Sequence, residues 1–131
     1  GIVMAHKLVI YPVILHPEKT GYSVEIPDIN NGAWTQGESM EEALEMASDL
    51  IGTMLVDEMT WPKPTALEDI QVTGTDIKTI VSLDMEDYRR RTSKTVRKNV
   101  SIPEYLVKMG KDQHINFSEV LTQALEDKLI N

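Results

Sequence analysis

Gly21 to Leu55 read GYSVEIPDINNGAWTQGESMEEALEMASDLIGTML, and the periodicity of this stretch decides the fold. Tyr22, Val24 and Ile26 alternate with Ser23, Glu25 and Pro27, the two-residue period of a strand with one buried face. Asp28 to Gly32 (DINNG) is built of residues that tolerate left-handed backbone, so a turn follows. Ala33 to Gly37 then offers a short second strand. Ser39 with Glu42 forms a capping box that starts a helix. Within it Met40, Ala43, Leu44, Ala47, Leu50, Ile51, Met54 and Leu55 keep the three-then-four spacing of one apolar face, while Glu41, Glu45, Ser48 and Asp49 lie opposite. The helical pattern extends to about Met59.

Upstream, His6 to Leu15 (HKLVIYPVIL) is a continuous apolar, β-branched run. It reads as a strand buried on both faces, with a bulge or bend at Pro12, which lacks a donor for the ladder. His16 to Gly21 is a polar turn, so the strands on either side form a hairpin. Gly1, Ile2 and Val3 read as foreign to the protein, with Met4 as the expected native start. Downstream, Trp61-Pro62-Lys63-Pro64 breaks the helical pattern, Thr73-Gly74-Thr75 marks a turn, and Ile77 to Leu83 (IKTIVSL) returns to the sheet. Three strands, a helix and a strand make an α+β module over residues 4–88.

Asp84 to Ser93 (DMEDYRRRTS) swings from acidic to basic without an apolar period, as expected of a connector with one helical turn, and 89–93 is its linker. Beyond it the pattern becomes strand, helix, helix over 94–131. Lys94 to Ile102 alternates, placing Val96, Val100 and Ile102 on one face and Thr95, Arg97, Asn99 and Ser101 on the other. Pro103 opens a helix with Leu106 and Met109 inward, and Gly110 is placed to end or loosen it. Asn116 with Glu119 caps the last helix, whose apolar face carries Phe117, Val120, Leu121, Ala124 and Leu125. So short a module cannot bury a core alone, and the chain has no cysteine to staple it, so a second copy is the expected remedy.

The 131-residue chain is 41% hydrophobic and 26% charged, ordinary figures for a globular protein, and no apolar run reaches the length of a membrane span. The absence of cysteine excludes disulfide frameworks and thiolate metal sites, and fits a cytoplasmic location. The net charge of −8 suggests a protein that avoids nucleic acid until its distribution is read. Through Tyr88 there are four cations against 16 carboxylates, net −12, whereas Arg89 to Asn131 carries nine against five, net +4. Two modules with different partners follow.

The run KTVRKNVSIPEYLVKMGKDQHINFSEVLTQALEDKL, Lys94 to Leu129, resembles a ribbon-helix-helix DNA-binding domain. In that family two copies pair their single strands into an antiparallel ribbon that enters the major groove. The resemblance implies base contacts from Arg97, Asn99 and Ser101, and phosphate contacts from the start of the second helix at Asn116, Phe117 and Ser118, with Lys94 as a further phosphate contact. The chain departs from the family's pattern in placing Lys98 on the apolar face of the strand. The segment from Tyr11 to Leu55 resembles the HicB antitoxin domain, a partial RNase H-like fold. That resemblance implies binding and masking of a HicA-type toxin, a small basic ribonuclease, and operator binding by a homodimer, with tetramers or larger toxin-bound complexes possible. Glu25, Asp28, Trp34 and Glu38 are the residues expected to meet the toxin, and the excess of carboxylates in the first module independently favours a basic partner.

No catalytic residue, metal site or cofactor is expected. The run Lys7 to Leu15 lacks the acidic ligand a two-metal nuclease needs on its first strand, and Glu25, Asp28 and Glu38 read better as a solvated rim. His6, His16 and His114 are scattered without metal-ligand spacing, and no nucleotide-binding or acyl-transfer motif occurs. Met40, Met46, Met54 and Met59 read mainly as core filler, Trp61 as packing behind the helix, and Trp34 as either core or interface anchor. The alternative reading is a stand-alone ribbon-helix-helix regulator whose first domain senses a small ligand.

Overall fold

A computed structural model describes residues 8–130; the start read at Met4, the first residues His6 and Lys7 of the expected strand, and Asn131 lie outside them. The chain divides into two compact units, with the boundary between Thr92 and Ser93.

In the first unit, β1 (Leu8–Pro17), β2 (Tyr22–Ile26), β3 (Ala33–Gly37) and β4 (Ile77–Asp84) form one antiparallel sheet in the order β3-β2-β1-β4, and α1 (Met40–Leu55) lies across one face. The alternation of β1 sets the layers. Val9, Tyr11, Val13 and Leu15 point to α1 and join Val24, Ile26 and Val81 with Ala43, Ala47, Ile51 and Leu55 in the core. The other face of β1 carries Leu8, Ile10, Pro12, Ile14 and His16. The bulge expected at Pro12 is absent: β1 pairs with β4 without interruption from Leu8↔Asp84 to Leu15↔Ile77. Pairing with β2 covers only Ile14 to Pro17, so Pro12 interrupts no ladder on that side.

From Tyr11 to Leu15 the strand β1 is buried on both faces because the segment after α1 crosses from one face to the other where β2 stops. Trp61 packs against the helix-side core, the Tyr11 hydroxyl donates to the Pro62 carbonyl at 2.6 Å, and on the far face Lys78 Nζ donates to the carbonyls of Leu67 and Ile70. A 3₁₀ turn, Leu67–Asp69, sits in this crossing.

The helix α1 begins as its capping box predicts, with the Glu42 amide donating to Ser39 Oγ at 3.1 Å, although the Glu42 carboxylate reaches one residue beyond the cap to the Glu38 amide. It ends at Leu55, a turn earlier than the pattern suggests. The carbonyls at and just past its end are taken by other donors: the Trp61 indole donates to Leu55 and Glu58, and the Arg89 guanidinium to Val56 and Glu58. That arginine belongs to α2 (Met85–Thr92), which buries Met85 and Tyr88 against the core. Arg89 to Thr92, within the stretch read as linker, are therefore the second half of a docked helix.

In the second unit α3 (Glu104–Asp112) and α4 (Phe117–Leu129) are joined by a tight turn. Gly110 does not end α3. The left-handed position is taken by His114, at φ 56°, and the Ile115 and His114 amides close back on Gly110 and Lys111. Gly110 serves instead as a contact point, since a β-carbon there would lie 2.5 Å from Phe117 Cζ. Residues 93–103, where a strand was expected, form neither helix nor strand in the single chain. A lone strand has no ladder to join.

Candidate functional site

The sheet face away from α1 brings together residues of β1, β2 and β3 and the residue just before β4 by register. His16 pairs with Ser23, Glu25 with Trp34, and the β1–β4 register continued by one residue sets Asp76 opposite His16. The ring of His16 is held at both nitrogens: Nε2 lies 3.2 Å from Glu25 Oε1 and Nδ1 lies 2.9 Å from Asp76 Oδ2. Its face stacks on Trp34, with centroids 5.0 Å apart and planes inclined by 22°. These three polar side chains are about a quarter exposed, while Trp34 is 55% exposed. The result is a level aromatic plate with a carboxylate on each side of the imidazole.

Of the four residues expected to meet a toxin, two therefore converge. Asp28 is engaged elsewhere, accepting from the Thr65 amide at 2.9 Å and the Thr65 hydroxyl at 2.6 Å, which fixes the segment crossing the sheet edge. Glu38 lines a separate shallow cavity of about 380 Å³ with Glu18, Tyr22, Glu42 and Met46. The sequence reading missed His16 and Asp76. Three elements bring them together, and the only signal was the turn at Thr73-Gly74-Thr75, which sets where β4 begins.

Arg97, Asn99 and Ser101 are exposed, as is Lys94. The cap of α4 forms as read, the Glu119 amide donating to Asn116 Oδ1 at 3.0 Å. Phe117 and Ser118 stand at the first helical positions, where amides have no partner within the helix. The apolar residues of this unit are unburied: Val96 is 80% exposed, and Val100, Ile102, Leu106, Val120 and Leu125 are exposed with it. Among the described residues of this unit only Gly110 is buried.

The unit boundary redistributes the charge. Residues 1–92 carry net −9 and residues 93–131 net +1, because Arg89, Arg90 and Arg91 fall in the first unit. Arg89 caps α1, and Arg90 and Arg91 pair with Asp87, whose carboxyl the Arg91 hydrogen bond holds below the ordinary aspartate range. The basic residues left to the second unit cluster early: Lys94, Arg97, Lys98, Lys108 and Lys111 precede all of its carboxylates except Glu104. Among the described residues no group of three or more His, Asp or Glu side chains is arranged to hold a metal ion, and no helix is long and apolar enough to cross a membrane.

Comparison with known proteins identifies the family. The family model described as the HicB-like antitoxin of bacterial toxin–antitoxin systems matches residues 11–124. Antitoxin HicB 1 of Photorhabdus laumondii is 50% identical over a stretch covering 37% of this chain and 34% of that protein, so the match spans about a third of the curated relative's length. Two solved structures are similar over most of their length. The Burkholderia pseudomallei antitoxin HicB has TM-score 0.46 and 23% identity, covering 92% of this chain and 96% of its own. Antitoxin HicB3 has TM-score 0.44 and 20% identity, covering 94% and 99%. With the family pattern running from β1 into α4, the chain belongs to the HicB-like antitoxins of bacterial toxin–antitoxin systems, a family of regulators rather than enzymes.

Proposed function

We propose that this chain neutralises a HicA-type, mRNA-cleaving toxin through its first unit and, as a dimer formed through residues 94–131, binds operator DNA to repress its own operon. In this reading the first unit is the partial RNase H-like domain of the family and the second its ribbon-helix-helix domain, with the cytoplasm as the place of action. Glu25, Asp28, Trp34 and Glu38 face the toxin; Arg97, Asn99 and Ser101 read bases; Asn116, Phe117, Ser118 and Lys94 hold phosphates.

The observation that carries the proposal is the exposure of the second unit's apolar residues. Val96, Val100 and Ile102 alternate with Arg97, Asn99 and Ser101, and none of the six is buried in the single chain. Pairing this segment with its copy buries the valines and isoleucine against four helices and supplies the missing ladder, leaving the polar alternates on the outer face at a width the major groove admits. The sign of the charge supports the division of labour: a net −9 first unit attracts a basic ribonuclease and repels DNA, and the early residues of the second unit carry the cations.

Co-expression with the HicA-type toxin of the same operon tests the first half, with a co-purified complex and restored growth as the expected result. For the second half, Arg97→Ala should weaken binding to the operator by about 1–3 kcal/mol in a mobility-shift titration. Operator affinity indifferent to changes at 97, 99 and 101 would sink the ribbon assignment.

A further inference from the structure

The two aromatic–cation pairs among the described residues of the first unit show what Trp34 lacks. Arg89 lies over the ring of Trp61 at 5.4 Å, and Arg91 over that of Tyr88 at 5.7 Å. Trp34 is more than half exposed, has an imidazole on one face, and no cation among the described residues stacks on the other. Glu25 and Asp76 each spend one oxygen on His16, and among the described residues the second oxygen of each carboxylate makes no other hydrogen bond. Lys78, on the same sheet face, is committed to the carbonyls of Leu67 and Ile70. An exposed indole face with two carboxylates behind it, in a unit of net charge −9, is complementary to a planar cation.

We infer that the Trp34–His16 plate, with Glu25 and Asp76, is the seat for an arginine side chain of the basic protein partner. The guanidinium stacks on the free face of Trp34, drawn there by the negative charge of Glu25 and Asp76 behind the ring. A lysine ammonium feels the same charge but cannot stack as a plane, so the seat discriminates between the two cations. Tied at both nitrogens, His16 keeps the indole from rotating and removes the cost of ordering it on binding. This inference rests on the reading of the chain as an antitoxin and adds the partner's contacting chemistry and two residues, His16 and Asp76, to it.

The test is titration of the full-length chain with the HicA-type toxin of its operon. Trp34→Ala should weaken the complex about tenfold or more, Trp34→Phe less, and Asp76→Asn measurably, while Glu45→Gln, which removes the same charge from the far side of α1, should change it less than about twofold. Phenylglyoxal treatment of toxin arginines should abolish the difference between wild type and Trp34→Ala; acetylation of toxin lysines should leave that difference in place. Trp34→Ala indistinguishable from Glu45→Gln against a toxin that still binds overturns the inference and leaves the antitoxin reading intact. A wild-type chain that does not bind the toxin overturns the reading itself. Unchanged thermal unfolding of Trp34→Ala, expected for so exposed a side chain, separates lost contact from lost fold.

Discussion

Gly52 and Tyr88 meet backbone against ring: a β-carbon at position 52 would lie 2.5 Å from Cε1 and Cζ of the tyrosine. The ring cannot retreat freely, because its hydroxyl is within 2.9 Å of Thr53 Oγ1 and donates to Asp49. The glycine in the last turn of α1 is therefore the place where α2 docks. Gly52→Ala would gain about 0.5–1 kcal/mol of helix propensity and lose about 1–3 kcal/mol to overpacking. A net loss of about 1–2 kcal/mol is expected in urea unfolding. In the background of Tyr88→Ala the same change should turn neutral or stabilising, so the double-mutant cycle reads the contact itself. Additive effects would show that the two helices do not meet there.

Arg89 should matter more than its neighbours. The last turn of α1 contains no basic residue, and Arg89 supplies both the positive charge and the donors for the carbonyls of Val56 and Glu58. Arg89→Met keeps much of the stem over Trp61 and removes the donors, with an expected loss of about 1–2 kcal/mol in thermal unfolding. Arg90→Ala and Arg91→Ala break exposed pairs with Asp87 and should leave thermal unfolding close to wild type. Equal effects at all three positions would contradict the capping role.

How much of this was legible in the sequence depends on how far apart the contacting residues are. The strands at Tyr22–Ile26 and Ala33–Gly37 and the cap at Ser39 are local patterns, and they form where the pattern puts them. The helix α2 was hidden because only Met85 and Tyr88 of its eight residues are buried, too few to show a period, and because its three arginines resemble a solvated linker. His16 looked isolated for a different reason. Its partners Glu25, Trp34 and Asp76 come from three other parts of the sheet, and their meeting depends on a register that Asp76 enters from 60 residues away. The end of α1 was overestimated because the donors that draw off its carbonyls, Trp61 and Arg89, lie outside the helix.

Tyr11 gives the first unit a stability limit at high pH. Its hydroxyl is buried and donates to the Pro62 carbonyl, and burial first, then the negative charge of Asp28, raises its pKa above the ordinary tyrosine value. A raised pKa in the folded state means that the protonated form is the stabilised one. Its contribution is complete below the unfolded value of about 10 and is lost as pH rises through the folded value. Tyr11→Phe should therefore lower stability by about 0.5–1.5 kcal/mol at pH 7 through the lost hydrogen bond, and should flatten the decline above pH 10. Parallel pH profiles for the two proteins up to pH 11 would remove Tyr11 as the source.

Gly110 and His114 make a paired prediction of opposite sign, because each stands where the other residue type would be expected. Gly110 is in right-handed helix, and its missing side chain leaves room for the Phe117 ring at 2.5 Å and Ile115 Cδ1 at 3.1 Å from where a β-carbon would sit. His114 is in the left-handed conformation that closes the end of α3, which carries a steric penalty of about 1–2 kcal/mol for a residue with a β-carbon. Gly110→Ala should therefore destabilise the second unit, the overpacking against Phe117 exceeding the helix propensity gained. His114→Gly should stabilise it by about 1 kcal/mol. Since a unit that folds as a dimer has an apparent stability that depends on concentration, both variants are compared with wild type at one protomer concentration, and the shift should persist in sign on tenfold dilution. If His114→Gly destabilises, His114 does not hold the left-handed position and the turn between α3 and α4 closes differently; if Gly110→Ala stabilises, position 110 has room for a β-carbon and Phe117 does not pack there.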